Sequence, residues 1–264
     1  IKANIESIDF AEVTGRASRM VDEDSANIES GIRETAGIDL YKAEGSFVDE
    51  HKIKAGNEEI SGDRILIASG ARPFIPPIAG IDKTEYMTST EALRQTKQPK
   101  SMIVIGGGYI AAELGHFYGA LGTKITIVEM SSMLINREDG EISREFTRIF
   151  SEKHNVLLGV RATKVSQSSD GAKIVTIETS PSQEINLEAE AILVAVGIKP
   201  NTDLLKPENA GIEINSRGYI IVDEYMRTNK PHIWEQGDIT GLATFRHAAN
   251  WQARFVTENI KGAR

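Results

Sequence analysis

The chain has 264 residues, 40% of them hydrophobic, enough for a sizeable core in one or two domains without a disulfide or structural metal. A formal net charge of -8 and a pI near 5.3 argue against nucleic-acid and anionic-membrane partners, and no basic run resembles a DNA-binding arm. Cysteine is absent, which excludes a disulfide framework, thiolate metal ligands and any thiol chemistry by this chain alone.

Residues 10–35 read as a polar helix, followed by short strands at 41–45, 47–48 and 51–54. Ile65-Leu66-Ile67-Ala68 is a buried strand broken off by Ser69-Gly70, and three prolines and a glycine in 72–80 mark a linker. The pattern then alternates. Residues 102–105 form a buried strand that runs into Gly106-Gly107-Gly108. Residues 109–121 form a helix with Ile110, Leu114, Phe117 and Leu121 on one face, stopped by Gly122. Residues 124–129 are the next strand, and 139–154 a helix with Ile142, Phe146 and Ile149 in register. Further strands are expected at 156–160, 173–178 and 191–196, then 218–223 and 232–238, and a closing helix at 243–260. The β-α-β opening predicts an α/β fold, a parallel sheet with flanking helices. No stretch is long and apolar enough to cross a bilayer, and the start has no basic flank before an apolar core, so a cytoplasmic setting is expected.

Residues 102–129 carry a dinucleotide fingerprint in its proper context. Gly106 permits the tight turn out of the strand, Gly108 lets backbone approach a pyrophosphate, and Ala111 allows close packing of helix on strand. The pyrophosphate lies against the helix N-terminus, whose free N–H groups and dipole favour negative charge. Glu129, about twenty residues on, accepts hydrogen bonds from ribose hydroxyls and repels a 2′-phosphate, so NAD(H) is preferred over NADP(H). His51, His116, His154 and His232 have no cysteine or spaced partner that suggests a metal site.

With these residues in hand, the chain resembles the FAD-dependent pyridine nucleotide–disulfide oxidoreductases, in the branch of dihydrolipoamide dehydrogenase, mercuric reductase and mycothione reductase. Four motifs carry the resemblance in order. Residues 67–73, Ile-Ala-Ser-Gly-Ala-Arg-Pro, resemble "ATGSRP"; residues 105–113 closely match "IGGGYIGLE", Ala111 replacing its last Gly; residues 195–202 resemble "VGRRPNT"; and Trp234-Glu235-Gln236-Gly237-Asp238 resembles "YAIGD". The resemblance implies a Rossmann-like NAD-binding domain at 83–199, inserted in a partial FAD-binding domain made of 1–82 and 200–264. It implies that Asp238 bonds the ribityl chain of FAD, that Ala68, Ser69 and Gly70 pass near its diphosphate, and that the backbone of Phe245, Arg246 and His247 borders the flavin. Tyr109 and Glu113 would lie between nicotinamide and isoalloxazine, Glu113 being the one candidate catalytic residue. With Ile110 completing the loop, Val160 would lie near adenine and Gly197 would close the nicotinamide side.

The departures bear on activity. The family's first glycine motif, its C-x4-C redox disulfide and its C-terminal interface domain with the acid–base His are not in these 264 residues. The expectation is the middle of a longer homodimeric enzyme that passes hydride between NAD(H) and FAD and on to a disulfide, dithiol or metal-ion substrate. This chain is expected to keep NAD binding, to hold FAD weakly and to lack thiol turnover. His247, with no thiol to serve, contributes backbone rather than a proton. Two rivals share the glycine motif: a disulfide-independent flavin reductase, and a non-catalytic NAD-binding module, which would have no use for Asp238 or Ala68-Ser69-Gly70.

Overall fold

A computed structural model describes residues 6–180 and 183–262. In chain order the elements are α1 (Phe10–Glu34), β1 (Gly45–Asp49), β2 (Lys52–Ala55), β3 (Glu58–Ser61), β4 (Ile65–Ile67), β5 (Ala71–Pro73), α2 (Ser89–Ala92), β6 (Ser101–Ile105), α3 (Tyr109–Ala120), β7 (Lys124–Glu129) and α4 (Gly140–Lys153). They continue with β8 (Asn155–Leu158), β9 (Arg161–Gln167), β10 (Lys173–Ser180), β11 (Gln183–Ala189), β12 (Ala191–Val194), β13 (Ile198–Pro200), α5 (Thr202–Leu205), β14 (Ile233–Glu235) and α6 (Arg246–Lys261). The chain divides into a central unit, residues 1–31 and 73–197, and a flanking unit, residues 32–72 and 198–264. Residues 6–31, on the flanking side of the sequence-based boundary at 82, group with the central unit.

The central unit is built on a four-stranded parallel sheet in the order β12-β6-β7-β8. Strand β6, one of its two inner strands, is buried on both faces, as parallel strands are. On one face, Met102 and Val104 pack with Ala111, Leu114 and Tyr118 of α3 and Phe150 of α4. Phe10 of α1 joins that layer, its ring 5.5 Å from Tyr118, whose hydroxyl donates to the Ala92 carbonyl at 2.6 Å. On the other face, Ile103 and Ile105 pack with Val165, Val175 and Ile177. Those residues belong to a three-stranded antiparallel sheet, β11-β10-β9. The expected flanking helices therefore cover one face of the parallel sheet, and a β meander covers the other. Only its middle strand was expected, because β9 and β11 are rich in polar residues and bury few of them.

Helix α4 is rotated from its expected face. Ile142 and Ile149 are 57% and 40% exposed, while Ser143, Thr147 and Phe150 are buried. The hydroxyls make that choice possible: Ser143 Oγ donates to the Ile135 carbonyl at 2.9 Å, and Thr147 Oγ1 accepts from the Leu134 amide at 2.9 Å.

The flanking unit holds an antiparallel sheet, β1-β2-β3, and a parallel pair, β4 and β14. Phe47, Ile67, Leu205, Ile212, Ile220, Ile233 and Ile239 form its core, and Val256 of α6 packs with Met226 and Trp234. Two expected strands are absent. Residues 41–44 are exposed and join no sheet. Residues 218–223 make one isolated bridge, Ile214 to Ile220, because Asn215 turns the chain and its Oδ1 accepts from the amides of Arg217 and Tyr219. No helix among the described residues is long and apolar enough to cross a membrane.

Candidate functional site

The C-terminal ends of β6, β7 and β12 bring the central unit's glycine loop, Glu129 and Ala195 together, the edge of a parallel sheet at which ligands bind. Gly106 has φ 110°, and a Cβ there would lie 2.3 Å from the Ala195 carbonyl oxygen, so no side chain fits. Gly108 is the N-cap of α3, with no side chain capping the helix and nothing within 4 Å of a Cβ. A helix start without a side-chain cap, beside a glycine with room around it, suits the close approach of a phosphate. Ala111 is buried against the sheet, and Ile110 packs partly against the same core.

Glu129 ends β7 with its Oε1 accepting from the Ser131 amide at 2.7 Å. Its Oε2 lies 2.9 Å from the place a Cβ on Gly107 would take. Sequence reasoning assigned roles to the outer glycines. The middle one is fixed by the carboxylate folded over it and by Leu134, 2.7 Å from the same point. The loop after Glu129 is fastened back: Ile135 donates to the Gly107 carbonyl at 2.7 Å and Gly159 to the Ser131 carbonyl at 3.0 Å. Val160, next to this clasp, is buried and donates to the Glu129 carbonyl at 3.1 Å.

Tyr109, first residue of α3, donates its hydroxyl to Glu138, a partner that no spacing in the sequence announced. That bond, with some desolvation, raises the Tyr109 phenol above its ordinary range. Glu113 is exposed on α3, with no hydrogen bond or ion pair among the described residues. Gly197, at φ 127°, accepts from the Phe74 amide and also has nothing within 4 Å of a Cβ.

In the flanking unit, β4 runs into Ala68, Ser69 and Gly70, the last at φ 64° and open to solvent. Asn201 pins this turn, its Nδ2 donating to the Ser69 carbonyl at 2.7 Å and its amide to the Gly70 carbonyl at 3.1 Å. Arg72 clamps Asp203 with two bonds, 2.9 and 2.6 Å, and reaches Asn201 Oδ1 at 2.8 Å. Arg72 first, then Lys199, hold the Asp203 carboxyl well below the usual carboxylate range. Two of the sequence motifs, 67–73 and 195–202, thus meet through one ion-pair cluster.

The parallel partner, β14, runs into Gly237 at φ 83° and Asp238, which opens a short 3-10 turn. Gln252 of α6 fixes the turn by accepting from the Gly237 amide at 2.7 Å. Burial pushes the Asp238 carboxyl up. Phe245 caps α6, and Arg246 and His247 are exposed in its first turn. Trp251 is 63% exposed and stacks on Phe255. Sequence reasoning also passed over Glu235, which is buried in β14; an acid in the place of the motif's alanine was the available signal.

Residues 2–253 match the family described as pyridine nucleotide-disulphide oxidoreductase. Mercuric reductase of Staphylococcus aureus is 34% identical over 255 residues, covering 96% of this chain and 46% of that protein. Mycothione reductase of Mycobacterium tuberculosis is 32% identical over 267 residues, covering 98% of this chain and 57% of the relative. Among solved structures, the HOCl-induced flavoprotein disulfide reductase RclA from Escherichia coli superposes with a TM-score of 0.89 at 30% identity, over 98% of this chain and 59% of that one. The chain spans about half the length of the curated relatives it matches. Members of the family are FAD-dependent oxidoreductases that use NAD(P)H and act on sulfur groups. With a match along nearly its whole length, this chain belongs to the pyridine nucleotide-disulphide oxidoreductase family.

Proposed function

We propose that this chain is the dinucleotide-binding centre of a flavoprotein oxidoreductase that passes hydride between NAD(H) and FAD and on to a disulfide or related substrate. The carrying observation is the central unit's loop: an open Gly108 at an uncapped helix start, beside a Glu129 carboxylate folded over Gly107. In this reading the N–H groups at the start of α3 hold the pyrophosphate, and Glu129 accepts from the adenosine ribose hydroxyls, favouring NAD(H). Val160 borders the adenine, Ile110 and Ala111 set the helix against the sheet, and Tyr109, Glu113 and Gly197 border the nicotinamide.

In the flanking unit, Ala68, Ser69 and Gly70 pass the FAD diphosphate and Asp238 meets the ribityl hydroxyls. The backbone at Phe245, Arg246 and His247 borders the flavin. The open Gly70 and the unpaired, desolvated Asp238 suit a hydroxyl-rich ligand there. The two cofactors supply the hydride chemistry, and the chain's share is to bind and orient them. With no cysteine, these residues furnish no thiolate, so the disulfide step falls outside them. The same reading gives a cytoplasmic homodimer as the working enzyme.

Titration of the purified chain with NADH and then NADPH, followed by the nucleotide's own emission, tests the proposal. Saturable binding that favours NADH supports it; binding of neither, to a chain shown folded by circular dichroism, overturns it. Tryptophan quenching would be a poor substitute, because Trp234 and Trp251 both belong to the flanking unit.

A further inference from the structure

Strand β14 ends on a carboxyl that has no partner among the described residues. Glu235 is 0% exposed, and both its side-chain oxygens, together with Oε1 of Gln236, are buried without a hydrogen bond among the described residues. Its amide donates to the Met226 carbonyl at 2.9 Å, and the residue stands in register with Ile67 of β4. Alternation along the strand places Glu235 on the face of Ile233. That face belongs to a core of Phe47, Ile67, Leu205, Ala210, Ile212, Ile220 and Ile239, none of them ionisable.

From the opposite face, Trp234 packs with Met226 and with Val256 of α6, and Gln252 of the same helix is taken up by the Gly237 amide. The titratable groups of Glu235's own segment lie beyond the strand's two ends. His232 donates its Nε2 to the Glu50 carbonyl at 2.9 Å, and Asp238 opens the following turn. An ionised carboxylate in this setting has neither counter-ion nor donor. Burial alone pushes the Glu235 carboxyl up to about 9, with no charged neighbour contributing. The motif that residues 234–238 resemble has alanine in this place, so the acid is a feature of this chain and not of the motif.

We propose that Glu235 is a proton-operated switch in the flanking unit: protonated, it lets β14 and the Gly237-Asp238 turn pack; ionised, it loosens that unit and leaves the central one folded. This stands on the flanking unit's core and needs no cofactor assignment. The sign follows from the two states. The unfolded chain loses this proton near the ordinary value of 4.5, and the folded unit keeps it to about 9. Between those values the folded state holds the extra proton, so the folding equilibrium falls about tenfold per pH unit as pH rises. The stability is fully present below 4.5 and is lost as pH climbs towards 9.

The test is urea unfolding of the full 264-residue chain at several pH values from about 5 to about 8, read by tryptophan emission. Both tryptophans lie in the flanking unit, one of them adjacent to Glu235, so the signal reports the unit in question. The wild-type midpoint should fall with rising pH. In Glu235→Gln most of that dependence should vanish, leaving the smaller share of Asp238, and at the upper pH the variant should outlast the wild type. Equal pH slopes in the two proteins would overturn the proposal, and Glu235→Ala repeats the test with the motif's own residue. If neither variant folds, infrared absorption of the wild-type chain decides: a protonated carboxylic acid band persisting at about pH 7.5 is expected, and its absence is fatal.

Discussion

Glu129 and Glu235 are each the last residue of a parallel strand, one in each unit, and their surroundings treat them in opposite ways. Glu129 reaches partial exposure at a sheet edge where the Ser131 amide takes one oxygen and the other is left above a glycine. Glu235 is fully buried, and neither of its oxygens has a hydrogen bond among the described residues. Strand position alone therefore does not make a carboxylate a recognition group. The recognition role proposed for Glu129 draws on a backbone donor and an opening to solvent, and without them a carboxyl in the same strand position is held in its protonated form. Asp203 is a third case, exposed but clamped by Arg72 and Lys199, where charge rather than a ligand fixes the side chain.

The comparison breaks most severely if the glycine loop that faces Glu129 is altered. Gly106→Ala places a Cβ against a backbone carbonyl at 2.3 Å on a residue with φ 110°, so neither a rotamer change nor a side-chain shift relieves it. We expect a loss on the order of 3 kcal/mol in chemical unfolding, with NADH binding abolished. A variant with wild-type stability and affinity would show that the loop is not the rigid edge described.

The clamp on Asp203 sharpens the contrast on a smaller scale. Arg72→Met removes the first cause of its lowered pKa, but both side chains are more than a third exposed, so solvent screening leaves only about 1 kcal/mol. The depressed carboxyl contributes stability that is present above its ordinary value of 3.8 and lost as pH falls below it. Acid unfolding followed by tryptophan emission should thus begin at higher pH in the variant, the opposite dependence to that of Glu235. The smallest expected effect is at Tyr109. Glu138→Gln should bring its phenol back towards the ordinary range in an ultraviolet alkaline titration, with no measurable change in unfolding. An unchanged titration would mean that the Glu138 bond is not what holds the phenol.

Much of the central unit was legible from sequence because its signals are local. A four-residue apolar strand, a glycine cluster, a helix with one apolar face and an acid at a fixed interval each leave a mark within a few residues. The second half of that unit leaves a weaker one. Strands β9 and β11 are recognisable only through their pairing with β10, and polar residues fill most of their positions. The face of α4 was misjudged because isoleucine outweighs serine on any hydropathy pattern, whereas the fold needed small hydroxyls that bond the Leu134-Ile135 turn. Gly107 and Glu138 depend on contacts from residues 22 and 29 positions away, which no short window contains. Glu235 was visible as an acid in a motif otherwise met with alanine, but its burial follows only from the packing of the flanking unit.

The most direct test of the central claim is the ratio of NADH to NADPH affinity in the wild type and in Glu129→Gln, measured by isothermal titration calorimetry. If Glu129 reads the adenosine ribose, the wild type favours NADH. The variant should then lose about tenfold to a hundredfold of its NADH affinity, with a smaller loss or a gain for NADPH, so that the ratio collapses. A ratio that survives the substitution would contradict the assignment of this strand end to the dinucleotide.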